Sequence, residues 1–336
     1  MSRNMHGFGA MIKKLKQSPK RIVFTEGSDP RILEAASRLL ASNFLTPLLV
    51  GTQEEVEEAA EEYGYNIRGA QIIDPANFEK IDEMVEMLCE LRKSKNLQPE
   101  RAREILLQGN YFGTMLVKMG YADSLLGGAT YTTADTIRPA LQLIKAKPGH
   151  NIVSSCFILV RPSATGENEV LAMADCAINI KPNEDELAEI AIEAAKCGQL
   201  FGIDPKVAFL SYSTLGSGAG EDVDKMHNAA IKAKALNPNL PISGEMQFDA
   251  AVSPRVARTK CPDDPVAGHA NVFIFPDINA GNIGYKIAQR MGNFEAYGPI
   301  LLGLNSPIND LSRGCNADEV YSMAIITAAL VDEDLE

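Results

Sequence analysis

Short runs rich in valine, isoleucine and leucine alternate with helical patterns along the whole chain, and no other feature limits the available folds as much. Arg21–Thr25 (RIVFT) precedes a helix expected over about Pro30 to Ser42, and Pro47–Gly51 (PLLVG) precedes an acidic helix expected over 53–63. Val207–Leu210, Val272–Phe275 and Ile300–Leu304 are each followed by Gly-, Ser- or Asn-rich turns and then renewed helical periodicity. Short apolar strands bridged by amphipathic helices describe an α/β protein with mainly parallel sheets. A chain of 336 residues accommodates two domains of ~100–200 residues each. The clearest break lies at Lys147-Pro148-Gly149, before a strand-like run from Ile152 to Val160, and a second lies at Gly292–Pro299. These breaks allow three successive parts, or one domain inserted into another.

Charge narrows the partners. Lys and Arg number 32 against 44 Asp and Glu, a formal charge of −12, so nucleic acid and anionic membrane surfaces are not expected as partners. The six cysteines (89, 156, 176, 197, 261, 315) form no CxxC pair, and the four histidines (6, 150, 227, 269) are scattered. No metal site is expected from such spacing, and the cysteines read as reduced thiols. Met1–Ser18 is basic without an apolar stretch, so no secretory signal is expected. The longest apolar run, Ala324–Val331, is far short of the ~20 residues of a membrane span. A cytoplasmic protein is the expectation.

Active sites of parallel α/β folds lie beyond the carboxyl ends of the strands, at the N-termini of the following helices. Four turns of this kind carry polar chemistry. Gly127–Arg138 (GGATYTTADTIR) combines small residues, hydroxyls and a cation; it reads either as a phosphate cradle or as a helix start capped by Thr133 or Asp135. Ser211–Gly220 lacks the G-x-G-x-x-G spacing and is followed by Glu221, Asp222 and Asp224, which favours a flexible connection over a dinucleotide loop. Phe275–Arg290 sets Lys286 and Arg290 one helical turn apart, as an anion site or as a solvated basic face. Pro307–Asn316 holds Ser312, Arg313 and Gly314, and Asn316-x-x-Glu319 reads as a capping-box variant whose carboxylate keeps one oxygen for a substrate. Cys315 has no histidine nearby in sequence and reads as a small packing residue, Cys89, Cys156, Cys176 and Cys197 as core, and His269 as surface.

Taken together, ADTIRPALQ (134–142), VAFLSYSTLGSG (207–218), PVAGHANVFIFPDINAGNIGYKIAQR (265–290) and PINDLSRGC (307–315) resemble the phosphate acetyltransferase (phosphotransacetylase) family over nearly the full chain. The resemblance implies a two-domain α/β protein with an isocitrate/isopropylmalate dehydrogenase-like fold. Its active site would lie in the interdomain cleft, with residues 1–152 plus 297–336 as one domain and 153–296 inserted. It implies reversible transfer of an acetyl group between coenzyme A and inorganic phosphate, by direct thiolate attack in a ternary complex. Acetyl-CoA, coenzyme A, phosphate and acetyl phosphate would be substrates, with no tightly bound cofactor or metal, in a homodimer. The family's catalytic Ser-Arg pair falls on Ser312 and Arg313, and its base, usually an aspartate, on Glu319, with Asp318 beside it. The arginines linked to coenzyme A binding and catalysis match Arg92, Arg138 and Arg290. Members often carry Ser-Gly-Ala-x-His-Ser where this chain has Gly127–Thr132, so Thr132 or Thr133 would take over the phosphate contact.

Three rivals differ in what they require. A phosphate butyryltransferase would differ only in pocket fit, worth ~1–3 kcal/mol per methylene or two. A non-catalytic acetyl-CoA-binding module would not need Ser312, Arg313 and Glu319 together. A nicotinamide-dependent dehydrogenase would need a dinucleotide fingerprint that the chain lacks.

Overall fold

A computed structural model describes residues 8–162 and 168–331. His6 and the first residues of the basic N-terminal stretch lie outside them. The chain divides into two compact units, one from Phe8 to Pro148 completed by the chain from Leu304 onward, the other spanning Gly149–Gly303.

The first unit is built on a five-stranded sheet. Its strands are β1 (Lys20–Phe24), β2 (Leu45–Val50), β3 (Gln71–Ile73), β4 (Ser124–Gly127) and, after the chain returns, β11 (Ile308–Asp310). Every pairing is parallel, in the order β11-β4-β1-β2-β3. Ile22, Val23 and Phe24 have no exposed surface, as expected of a central strand covered on both faces. The covering helices are α1 (Phe8–Gln17), α2 (Pro30–Ser42), α3 (Gln53–Tyr63), α4 (Ile81–Leu91), α5 (Pro99–Leu106), α6 (Gly109–Lys118), α7 (Thr133–Pro139) and α13 (Ala317–Ala329). α13 is apolar around most of its circumference, packs against α1, α2, β1 and β4, and buries Ala324, Ile325 and Ile326 completely. From β1 the chain steps outward to β2 and β3, then crosses back to lay β4 on the other side of β1. The carboxyl ends of β1 and β4 therefore flank the topological switch point, where ligands bind in open α/β sheets.

The second unit carries a six-stranded sheet of β5 (Ser154–Pro162), β6 (Asn168–Ala174), β7 (Val207–Leu210), β8 (Ile242–Met246), β9 (Val272–Ile274) and β10 (Glu295–Leu302), in the order β10-β5-β6-β9-β7-β8. The first two pairings are antiparallel and the other three parallel. Its helices are α8 (Glu184–Leu200), α9 (Glu221–Leu236), α10 (Phe248–Val252), α11 (Pro254–Lys260) and α12 (Ile278–Met291). Of the run Ile300–Leu304, expected as the last strand of the first domain, Ile300–Leu302 are the end of β10 and pair with Ser154–Cys156. The division therefore falls at Gly303, later than residue 297, and Leu304 is the first residue to bridge back, to Ala146.

The last strand of the first unit is instead β11, only three residues long and two-thirds polar. Asn309 is fully buried because its Nδ2 donates to Thr327 Oγ1 of α13 at 2.9 Å. Asn309→Ala strands part of that pairing inside the core and should cost about 1–3 kcal/mol. The expected result is a lower urea midpoint with an unchanged slope; a midpoint equal to that of the parent protein would show that this bond does not hold β11 in place.

Candidate active site

Three turns meet at the switch point of the first sheet: Thr25–Asp29 after β1, Gly128–Thr132 after β4, and Leu311–Asn316 after β11. The first leads into α2, where Asp29 is the N-cap and accepts from Arg31 N at 2.9 Å, with Pro30 in the first turn. Arg31 then uses all five of its N–H donors. Nε and Nη2 grip Asp29 Oδ1 and Oδ2 at 2.9 and 2.7 Å. Nη1 reaches the carbonyl oxygens of Arg313 and Cys315 at 2.9 and 3.2 Å, and Nη2 that of Ala129 at 2.9 Å. One side chain thus ties the three turns together. Burial works against ionised Asp29, but the hydrogen bonds and charge of Arg31 hold its carboxyl below the usual range.

The turn after β4 is pinned from the opposite polarity. Glu26 Oε1 accepts from Gly128 N and Thr130 N at 3.0 and 3.1 Å, and its Oε2 accepts from the Thr25 hydroxyl at 2.6 Å. The Tyr131 hydroxyl lies 2.7 Å from Thr25 Oγ1. Burial raises the Glu26 carboxyl above its ordinary value, against the pull of these three donors. Asp310, 1% exposed at the end of β11, is raised by burial in the same way and accepts from Thr133 at 2.6 Å and from Thr136. Tyr131 is pushed up by burial and by the charge of Glu26.

Of the residues anticipated from sequence, Ser312 and Arg313 lie in the turn after β11 and Glu319 on the helix that follows, while Thr132 and Thr133 open α7 and Arg138 lies in its last turn. The Thr133–Asp310 bond joins the two groups. Ser312 is exposed and its Oγ accepts from Gly314 N at 3.2 Å, leaving its proton to donate outward. The Arg313 guanidinium is exposed and makes no ion pair among the described residues. Asn316 and Glu319 form the expected capping box: Glu319 Oε2 accepts from Asn316 N at 3.1 Å, and Asn316 Oδ1 from Glu319 N at 2.9 Å. Asp318 is drawn to Arg38, 2.7 Å away, which also covers the Tyr321 ring. The cap of α7 is Thr132, whose hydroxyl donates to Asp135 at 2.7 Å; Arg138 stands 3.5 Å from Asp135. Arg92 caps the end of α4, away from these turns in sequence and without a bond to any of them, and Arg290 is exposed on α12 of the second unit.

Cys315 is buried, and burial pushes its thiol up to about 11, so it is a packing residue under the turn and a poor nucleophile. Cys156, Cys176 and Cys197 are buried, Cys89 is half-buried and His269 exposed. Among the described residues no three His, Cys, Asp or Glu side chains gather as metal ligands, and no helix is long and apolar enough to cross a membrane. The glycine-rich turn 211–220 of the second unit, read as a flexible connection, is organised by a buried carboxylate. Glu245 accepts from Ser213 Oγ and Gly216 N at 2.9 and 2.8 Å and meets His227 Nδ1 at 3.1 Å. The Asn-rich turn before α12 is capped by Asp277, which accepts from Ala280 N at 3.0 Å. Arg31, Glu26 and Tyr131 went unread as site residues. Arg31 alone carried a local signal, since it follows the Asp29-Pro30 helix start.

Gly128 has φ +101°, and a Cβ there would run into Asp310 Oδ1 and stand 2.9 Å from Leu311 O. Gly64, at φ +74°, has nothing within 4 Å. Gly64→Ala should therefore cost about 1 kcal/mol for the backbone alone, and Gly128→Ala roughly 2–5 kcal/mol because overlap is added. Denaturant titration of the pair checks this, and equal losses would mean that the turn yields freely.

Residues 8–328 match the phosphate acetyl/butaryl transferase family. A phosphate acetyltransferase of Bacillus subtilis is 50% identical over 322 residues, covering 96% of this chain and 98% of its own. A phosphotransacetylase from Streptococcus pyogenes has a crystal structure that superimposes with a TM-score of 0.94 at 49% identity, over 99% of this chain and all of that one. A branched-chain phosphotransacylase from Enterococcus faecalis, at 20% identity and a TM-score of 0.65 over 93% of this chain and 99% of its own, shares the fold. With a matched region that takes in Ser312, Arg313 and Glu319, the chain belongs to the phosphate acetyl/butaryl transferase family.

Proposed function

We propose that this protein is a phosphate acetyltransferase, moving an acetyl group reversibly between coenzyme A and inorganic phosphate. The observation that carries the reading is the presentation of Ser312 and Arg313, both exposed, directly after β11 at the switch point of the sheet. Full-length relatives at about half identity bear that activity in their names.

In the direction that forms acetyl-CoA, Glu319 takes the proton of the coenzyme A thiol. A free thiol has a pKa of ~8.5, so a nearby base raises the thiolate fraction at neutral pH. Glu319 is favoured over Asp318 because its partner in the cap is a neutral main-chain N–H, whereas Asp318 is ion-paired with the Arg38 cation. The thiolate attacks the carbonyl carbon of acetyl phosphate, the C–S bond forms, and the C–O bond to phosphate breaks as the tetrahedral oxyanion collapses. The Ser312 hydroxyl and the Arg313 guanidinium stabilise that oxyanion and the departing phosphate. Attack is direct, in a ternary complex, and no acyl-enzyme forms.

Arg138, with only a long contact to Asp135, is assigned to the phosphate end, and Arg92 and Arg290 to coenzyme A. Thr132 and Thr133 enter as builders of the phosphate turn, since their hydroxyl protons go to Asp135 and Asp310. Coenzyme A is a substrate, and the reading includes no tightly bound cofactor or metal. The six cysteines form no disulfide with one another, which supports a cytoplasmic setting. The homodimer is supported by an apolar stripe on α12, where Ile283, Ile287 and Met291 are 58%, 54% and 81% exposed at helical spacing.

Mixing the protein with acetyl-CoA should release free thiol only when phosphate is present. Ser312→Ala should lose about 10²–10³-fold, and Glu319→Gln should be impaired most where the thiol must be deprotonated. Release without phosphate dependence, or none at all with acetyl-CoA still bound, would overturn the transferase. For the dimer, Ile287→Glu should halve the mass measured by light scattering; an unchanged mass removes α12 as the contact.

A further inference from the structure

Glu26 takes no part in the chemistry above, yet its carboxylate organises the site from beneath. A carboxylate is an acceptor only, and Glu26 uses this to collect two main-chain N–H groups of the Gly128–Thr130 turn and the Thr25 hydroxyl. Because the Thr25 proton is given to Glu26, Tyr131 is the donor in the 2.7 Å contact between their hydroxyls. Tyr131 neighbours Thr136, whose hydroxyl donates to Asp310, two residues before Ser312. The half-buried Glu26 carboxyl, just past β1, and the buried Asp310 carboxyl, at the end of β11, thus bracket a row of hydroxyls, and the turn that leads into α7 and Arg138 hangs from the Glu26 end.

We propose that Glu26 is a positioning residue for acetyl transfer: its carboxylate holds the Gly128–Tyr131 turn, and with it Arg138, in register with Ser312 and Arg313. This rests on the transferase reading. Protonation of Glu26 either removes Oε1 as the acceptor for a main-chain N–H or makes Oε2 the donor to Thr25, which reverses the Tyr131–Thr25 bond. Burial sets that protonation above the ordinary glutamate range. The groups facing Glu26 are Asp29, whose charge raises it further, the Arg31 cation, the Tyr131 hydroxyl and the Cys315 thiol.

The test compares the parent protein with Glu26→Gln and Tyr131→Phe, following kcat and KM for acetyl phosphate across pH, with melting curves to confirm folding. Glu26→Gln should lower kcat/KM by on the order of 10²-fold, as misplacement by ~1 Å does, and move the acid limb of the profile to lower pH. Tyr131→Phe keeps both main-chain bonds to Glu26 but removes the donor behind Thr25, so its acid limb should move to higher pH. Opposite movements in the two variants are not produced by general loosening of the fold. An acid limb unmoved in both, or kcat/KM within twofold of the parent in a folded Glu26→Gln, overturns the proposal. The amide resonances of Gly128 and Thr130 give a reading independent of activity. They should titrate together above the usual carboxylate range in the parent and stay flat in Glu26→Gln. If the parent protein transfers no acetyl group, the transferase reading fails while these resonances still decide whether Glu26 governs the turn; flat resonances in the parent overturn its part in either case.

Discussion

Arg31 has five N–H groups and all five are engaged within the same site. Two grip the Asp29 carboxylate side by side and three hold main-chain carbonyls of Ala129, Arg313 and Cys315. A guanidinium suits this task because its donors lie in one rigid plane, so fixing one pair of bonds fixes the direction of the rest. The carbonyl of Arg313 is held while its own side chain is exposed, and the backbone of the turn after β11 is therefore anchored independently of whatever its side chains do. An ammonium in the same place would offer three donors from a single point and could not reach three turns.

Around that cation the carboxylates divide by what compensates their burial. Asp29 has Arg31 against it and is held below the usual range, and Asp123 is held low by Arg21 in the same manner. Glu26 and Asp310 have hydroxyl and amide donors, and burial wins. The consequences for stability have opposite signs. The contribution of Asp29 and Asp123 is present above the ordinary aspartate value and is lost as pH falls through their lowered values. That of Glu26 and Asp310 is complete below the ordinary carboxylate range and falls away as pH rises through their raised values. The site thus keeps two carboxylates that destabilise the fold once ionised, at the places where acceptor-only groups are needed to shape the turns.

How much of this could be read in the sequence follows the range of each interaction. β1, β2, β7 and β9 announce themselves because a buried parallel strand is a continuous apolar run. The Asn316–Glu319 capping box is legible because both partners lie within one helical turn. β11 escapes the same reading: its Asn309 and Asp310 look like loop residues, and only Thr327, Thr133 and Thr136, distant in sequence, make them buriable. Ile300–Leu302 pair away from the first sheet for a related reason, since a strand's partner is not written in the strand, and β10 finds its own in β5. The cap of α7 fell on Thr132 because its hydroxyl and main-chain N–H both reach Asp135.

The unpaired arginines show why position carries more than composition. In a chain with a net charge of −12, carboxylates are available to almost any cation. Arg21, Arg31, Arg38 and Arg161 each take one, and each serves to hold structure. Arg92, Arg290 and Arg313 take none among the described residues, but neither do Arg255 and Arg258 on α11, so the absence of a partner does not by itself mark a ligand site. What separates Arg313 is that its backbone is clamped while its guanidinium is left exposed, next in the chain to the exposed Ser312 and shortly before the helix start that carries a carboxylate with an oxygen to spare. Holding the main chain and releasing the side chain is how a rigid sheet keeps a cation available to a ligand, not tied up in an internal ion pair.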